Sequence, residues 1–432
     1  MFWLRPGWYK VFGFSLLTLR SLSITFGALV LFAWYAMMCR LSLDFRIALL
    51  AVGLLAVDYH FLSFAALGRM DAMCAGLGWA GCAAYVCLRE RNLKATIFLA
   101  NTLVAASCFT HPCGVLYFTL LSVLTLYYDR SRLGLGEMAV AVTPYLVGLA
   151  GWGAYILQSP AQFWSQFAGN ISGIGSEYTQ RDRWSGLRNP FAAFLWEVRR
   201  YLGAFHWYVA TSFRTRFQVS ILALYLLGAA IALCTPSLRR KPGNQVLLLA
   251  GSLFFFLLAV FEGMKSSPYI VHTFPIAAAL LAVSFASFLW PDQNGYRSPW
   301  IRGAAAAVLA AFLCIQFFYG IQDNRNPREQ WDYAATVGFL KNHAGPSSQI
   351  VGGGELAFQF GFDANLIDDP RLGYYSGKQP DFIVANDLYR AWFKRSESRY
   401  PEIFHHIERV LGASYREVFH NASYTVYRRV VD

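Results

Sequence analysis

Ten strongly apolar runs follow one another along the first 320 residues, each bounded by polar or charged positions: 21–38, 47–67, 72–88, 95–109, 114–128, 138–157, 219–233, 246–261, 269–290 and 303–319. Most approach the ~20 residues that carry a helix across a ~30 Å hydrocarbon core. The fourth and fifth are short and are separated only by Thr110-His111-Pro112-Cys113. Between the sixth and seventh lies a long polar stretch, 158–216. Within it "NPFAAFLWEVRRYLGAF" offers Asn189 as an N-cap and Pro190 at the first helical position. Phe191, Phe194, Leu195, Val198, Leu202 and Phe205 recur there at helical spacing, with Glu197, Arg199 and Arg200 off the stripe. That pattern predicts an amphipathic helix lying on the membrane surface.

Beyond Gln322 the pattern changes. "WDYAATVGFLKNHAG" reads as a helix stopped by Gly345-Pro346, while "QIVGGG", "DFIVAND" and the pair "REVFH" and "SYTVYRR" read as short strands, the last two joined by a tight turn. The predicted architecture is an α-helical polytopic membrane domain of about ten spans over 1–320, followed by a small α/β domain over 321–432.

Composition agrees with the patterning. Of the 432 residues 56% are hydrophobic and only 14% charged, with a mean hydropathy of +0.36; soluble proteins carry about 25% charged residues. The formal charge of +12 would suit a nucleic-acid partner, but much of it sits in short loops between apolar runs, so none is predicted. The eight cysteines lie in or beside apolar runs and form no CxxC pair, which argues against a disulfide framework or a thiolate metal site. "MFWLRPGWYKVFGF" lacks the basic start and apolar core of a signal peptide and reads as an interfacial segment.

The Lys/Arg distribution orients the spans. One set of alternate loops holds Arg40, Arg46, Arg89, Arg91, Lys94, Arg130, Arg132, Arg239, Arg240, Lys241, Arg297 and Arg302, whereas the opposite short loops hold Arg69 and Lys265. The first set is therefore predicted to be cytoplasmic. Arg69, Asp71, the His111 turn, the 158–216 loop and the C-terminal domain then face outward, in a multi-pass protein of the inner (plasma) membrane.

Ionisable side chains at membrane depth mark functional sites by default, and several converge on this outer face. Arg69 and Asp71 sit in "LGRMDAM", between the second and third spans. Asp58 and His60 lie two to three turns below. His111 and Pro112 interrupt an apolar stretch, and "FEGMKSSPYIVHTFPIAAALL" brings Glu262, Lys265, Tyr269 and His272 to the same boundary. Arg and Lys suit a phosphate oxygen. Carboxylates would hold a divalent cation on that phosphate or take a proton from an acceptor hydroxyl. A phosphate held beside apolar spans points to a lipid phosphate.

In order and spacing, "FGFSLLTLRSLSITFGALV", "GRMDAM", "THPCG" and "KSSPYIVHTFPIAAALL" resemble the GT-C glycosyltransferases over roughly residues 8–320. The branch they look most like is that of the protein-O-mannosyltransferases, aminoarabinose transferases and dolichyl-phosphate-mannose-transferase-like bacterial proteins. No single motif is stringent; order, spacing and topology carry the resemblance. It implies transfer of a sugar from a polyprenyl-phosphate donor to an envelope acceptor (lipid, glycan or protein) on the outer face of the membrane. It implies that Asp71 helps hold the donor phosphate or a divalent metal ion, the one cofactor expected. Arg69 and Lys265 would contact that phosphate, with Tyr269 and His272 in the family's "K…pY…P" segment and His111 at a turn where relatives often carry a basic residue. Family members begin with a span and an outer loop bearing the catalytic aspartate. This chain starts at about the point where that loop ends, and no residue of 1–21 is acidic. The resemblance thus places the general base upstream of Met1, with Asp58 as the substitute within the chain. The same charges would also suit a transporter or flippase for lipid-linked sugars, for which no inverted repeat is visible, or a non-catalytic membrane scaffold.

Overall fold

A computed structural model describes residues 4–42, 44–161, 163–164, 185–209, 213–262, 265–290, 298–324, 328–361 and 365–430. Of the predicted surface stretch, 165–184 lies outside the described residues. The chain is an α-helical polytopic membrane protein with a small C-terminal α/β region. It divides into two compact units, one of Met1–Val11 and Leu17–Gly320, the other of Phe12–Leu16 and Ile321–Asp432.

Every predicted span is helical. After α1 (Leu4–Phe12) come α2 (Leu16–Ser42), α3 (Phe45–Val57), α4 (Tyr59–Ala65), α5 (Met70–Leu88), α6 (Leu93–Thr110), α7 (Gly114–Asp129) and α8 (Leu135–Ile156). The amphipathic segment is α9 (Pro190–Ala204), and α10 (Phe213–Cys234), α11 (Pro242–Phe261), α12 (Phe274–Leu289) and α13 (Pro299–Asn324) complete the series. Among the described residues seven helices are long and apolar enough to cross a membrane, or eight with α3 and α4 counted as one span bent by 65°. Helices α7 and α12, 16 residues each, rise only ~24 Å and fall short of a full crossing.

α5 is the central helix, and its small residues explain how its neighbours approach it. A Cβ on Gly78 would lie 2.1 Å from the Tyr117 ring of α7, and one on Gly81 would meet Val104 of α6 at 2.7 Å. Glycine at both positions lets the helices close, as interfaces between apolar helices require. Trp79 fills the space between them, with Trp34, Tyr117 and Phe254 within 5.2 Å centroid to centroid. At the Arg-rich end, Asp129 accepts from Tyr85 Oη at 2.6 Å, Arg89 Nη1 at 3.2 Å and Arg132 Nη1 at 2.9 Å, which clasps α5 to α7.

The second unit carries a five-stranded sheet in the order β2-β1-β3-β5-β4. Strands β1 (Ile350–Gly352), β2 (Leu366–Ile367) and β3 (Phe382–Asn386) are parallel, while β4 (Tyr415–His420) and β5 (Tyr424–Arg429) form the predicted hairpin. Alternation along β3 divides the core. Phe382 and Val384 pack with Val337 and Leu340 of α14 (Arg328–His343). Ile383 and Ala385 pack with Trp392 of α15 (Asp387–Arg399) and Ile403 and Ile407 of α16 (Pro401–Ser414).

Candidate functional site

The chain leaves α4 through Gly68, whose φ of +72° is open to glycine and whose missing Cβ would collide with Leu19 of α2. Arg69 then takes the N-cap position of α5, its carbonyl accepting from Ser23 Oγ at 3.1 Å. Asp71 follows in the first turn, where free N–H groups and the helix dipole favour a carboxylate.

Arg69 Nε donates to Asp71 Oδ2 at 2.7 Å; the arginine side chain is 47% exposed and the carboxylate 3%. This geometry uses one guanidinium donor and leaves the two Nη groups for a ligand. Asp71 Oδ1 is buried without a hydrogen-bond partner, with His111 Nε2 3.7 Å away. His111 caps α6, and the Cys113 N–H donates to its Nδ1 at 3.2 Å. A neutral ring therefore carries its proton on Nε2, facing Asp71. Burial holds the imidazole below its ordinary value, with Asp71 pulling the other way and Arg69 reinforcing burial. The Tyr269 ring closes the far side of His111 at 5.1 Å. His272 sits deeper, fully buried, with Nδ1 2.7 Å from Tyr117 Oη and Nε2 without a partner.

Lys265 belongs to a neighbouring group. It holds a left-handed φ of 52°, and its Nζ donates to the Leu258 and Ala259 carbonyls at the end of α11, at 2.5 and 2.7 Å. The same Nζ stands 3.3 Å from Glu197 Oε2, and its backbone N–H donates to Glu262 Oε2 at 2.8 Å. Burial lowers the Lys265 pKa, and Glu197 and Glu262 only partly offset it. The ammonium expected on a phosphate is thus spent on protein oxygens in this arrangement.

Glu197 and Arg200, expected on the polar face of the surface helix, are buried instead. They pair with each other, and Arg200 Nη1 reaches Glu262 Oε2 at 3.4 Å. Burial opposes the Arg200 charge, but Glu197, Tyr201 and Glu262 outweigh it and raise its pKa. The outward face of α9 carries Phe191, Leu195 and Val198. The reversal has a physical cause: beside hydrocarbon, apolar side chains face lipid and ion pairs face protein. The spacing of Glu197 and Arg200, three apart on one face of a helix, is the signal that points to this pairing.

Asp58 forms a third, separate group. It ends α3 and N-caps α4, where its Oδ1 accepts from the Phe61 N–H at 2.8 Å. Its Oδ2 accepts from Tyr225 Oη and Gln316 Nε2, each at 2.7 Å. Both oxygens are engaged and the residue has no exposed surface, so the geometry gives Asp58 the work of holding a broken span rather than of meeting a substrate. Of the seven expected site residues, the structure brings together Arg69, Asp71, His111 and Tyr269. His272 is buried on Tyr117, and Lys265 and Asp58 lie in other networks.

A divalent cation at Asp71 would find little to hold it. No group of three or more His, Cys, Asp or Glu side chains among the described residues is placed to bind a metal ion, and Asp71 is already paired with Arg69.

No family model and no curated protein matches the chain. Solved structures do. The oligosaccharyltransferase of Archaeoglobus fulgidus in its apo form aligns with a TM-score of 0.52 at 11% identity, covering 89% of this chain and 61% of that one. The same enzyme in complex with zinc and sulfate aligns with a TM-score of 0.52 at 12% identity, covering 95% and 61%. The chain therefore spans about 61% of the length of these structures. At such identity the likeness is one of fold alone: a polytopic helical bundle with a small C-terminal region.

Proposed function

We propose that this chain is a membrane glycosyltransferase that moves a sugar from a polyprenyl-phosphate donor to an envelope acceptor, at the end of the bundle carrying Asp71, on the outer side of the membrane. The observation that carries the reading is the pairing of a half-exposed Arg69 with a buried Asp71 whose second oxygen has no partner, set in an oligosaccharyltransferase-like fold. The acceptor hydroxyl gives its proton to Asp71 Oδ1 as its oxygen attacks the anomeric carbon. The bond from that carbon to the phosphate oxygen breaks, and the departing phosphate takes up charge beside the Arg69 Nη groups. His111, neutral with its N–H toward Asp71, orients the carboxylate. The sulfate named with the archaeal oligosaccharyltransferase is in keeping with an anion site in that fold. The test is binding of a polyprenyl-phosphate sugar to the purified full-length protein: Arg69→Gln should weaken it about tenfold, the loss of one charge-assisted hydrogen bond. Unchanged binding would remove Arg69 from the site.

The 65° break between α3 and α4 favours a second reading, a flippase for the same lipid, because discontinuous spans recur in transporters. Reconstituted vesicles separate the two: a flippase moves the lipid-linked sugar between leaflets without an acceptor and without cleaving the phosphate bond.

A further inference from the structure

Between α10, α12 and α13 lies an apolar cavity of about 310 Å³, with no residue of the charged site in its lining. Gly228 and Ile231 line it from α10, Phe285 and Phe288 from α12, and Ala305 and Val308 from α13. The Ser284 hydroxyl also borders it, but its proton is committed to the Gly228 carbonyl at 2.7 Å, so it offers a ligand no donor. The small residues explain the void, and α13 does not close it: only 11% of its apolar window is buried. In hydrocarbon such a groove is not left empty, because its walls would forfeit their dispersion contacts.

The groove's place along the bundle identifies the occupant. On α13 it runs from Ile301 to Val308, roughly 10 Å of helix, in the half of the helix nearer the Arg-rich loops. Arg302 stands exposed next to Ile301 in the chain, its side chain with no hydrogen bond or ion pair among the described residues. Trp290, immediately past α12, lies under the Arg46 guanidinium at 5.3 Å, as an indole at headgroup level would. Arg46 is partly neutralised by Asp44 at 3.1 Å; Arg302 has no such carboxylate among the described residues. An apolar slot whose lining includes Ile301, the residue before an arginine with no side-chain partner among the described residues, matches an acyl chain attached to a negatively charged headgroup.

We propose that this groove binds one acyl chain of an anionic phospholipid, with the lipid phosphate at Arg302. The site is independent of the sugar-transfer reading. It is tested by native mass spectrometry of the purified protein with equimolar phosphatidylglycerol and phosphatidylcholine of identical chains. The wild type should retain phosphatidylglycerol preferentially. Arg302→Gln should lower that affinity about fivefold and lower phosphatidylcholine, whose phosphate charge is balanced by its own choline, by less, and Ala305→Trp, which fills the slot, should lower both. Arg302→Gln is an exposed change that leaves folding intact, so it carries the test if Ala305→Trp does not fold. Equal retention of the two lipids by the wild type, or phosphatidylglycerol binding untouched by Arg302→Gln, would overturn the proposal. So would a dimer that Ala305→Trp disrupts with no lipid bound.

Discussion

The Gln316 side-chain amide donates to Asp58 Oδ2 at 2.7 Å across 258 positions of the chain, and its carbonyl accepts from the Tyr59 N–H at 3.1 Å. The second contact fixes which way the amide points. Together they tie α13 to the two halves of the broken span. Removing the carboxylate leaves the Tyr225 hydroxyl, the Gln316 amide and the Phe61 N–H without their acceptor in an apolar interior. Asp58→Ala should therefore destabilise the protein by about 3–5 kcal/mol, since several buried donors each lose their acceptor, and Gln316→Ala by about 1–3 kcal/mol. Thermal unfolding in detergent measures both. A catalytic Asp58 would instead lose transfer in Asp58→Asn at unchanged stability.

The Glu197–Arg200 pair gives a second prediction. Arg200→Met leaves Glu197 buried with only Lys265 beside it and should cost about 3–5 kcal/mol, whereas Glu197→Leu with Arg200→Met should cost less than the sum of the single changes. A double-mutant cycle by chemical denaturation reads the coupling. Additive effects would mean that the two side chains do not share one network.

Lys265 separates two roles by backbone chemistry. At φ 52° an alanine is strained relative to glycine by roughly 1 kcal/mol. Both Lys265→Ala and Lys265→Gly lose the contacts to the Leu258 and Ala259 carbonyls, and the alanine variant should be the less stable by about that amount. Donor affinity should fall little in either. A large, equal loss of donor binding in both would return Lys265 to the phosphate.

These cases mark what the sequence can and cannot convey. The helices are legible because an apolar run of membrane length has few alternatives, and the β4–β5 hairpin because alternation on both sides of Asn421 is a local signal. Strand β2, two residues long, carries no period. Asp58 is visible as an ionisable residue at depth. Its role is not, because Tyr225 and Gln316 lie 167 and 258 positions away. Glu197 and Arg200 look solvent-facing by the rule that charge opposes the apolar stripe, a rule that inverts where the surroundings are lipid. Within the site, Arg69 and Asp71 lie two positions apart in sequence and are easily seen. The orphan state of Asp71 Oδ1 depends on how α6 ends at His111 and appears only in three dimensions.

His111 predicts a pH dependence. Burial holds its folded pKa below the ordinary imidazole value, about 6.5 in an unfolded chain. Falling pH therefore protonates the unfolded state first, and native stability declines from about pH 6.5 down to the lowered folded value, below which the penalty is constant. The charges facing the ring are Asp71 and Arg69. Replacing His111 with Gln should flatten this part of the stability–pH curve; identical slopes for the variant and the wild type would contradict the assignment.

The most direct test of the central claim is sugar transfer from a labelled polyprenyl-phosphate donor by Asp71→Asn in the full-length protein. The substitution keeps the shape of the side chain but removes the base and the charge paired with Arg69. Transfer should fall at least about 100-fold at an unchanged unfolding temperature, while Asp58→Asn loses transfer only in proportion to the protein that unfolds. Wild-type transfer by Asp71→Asn would contradict the account.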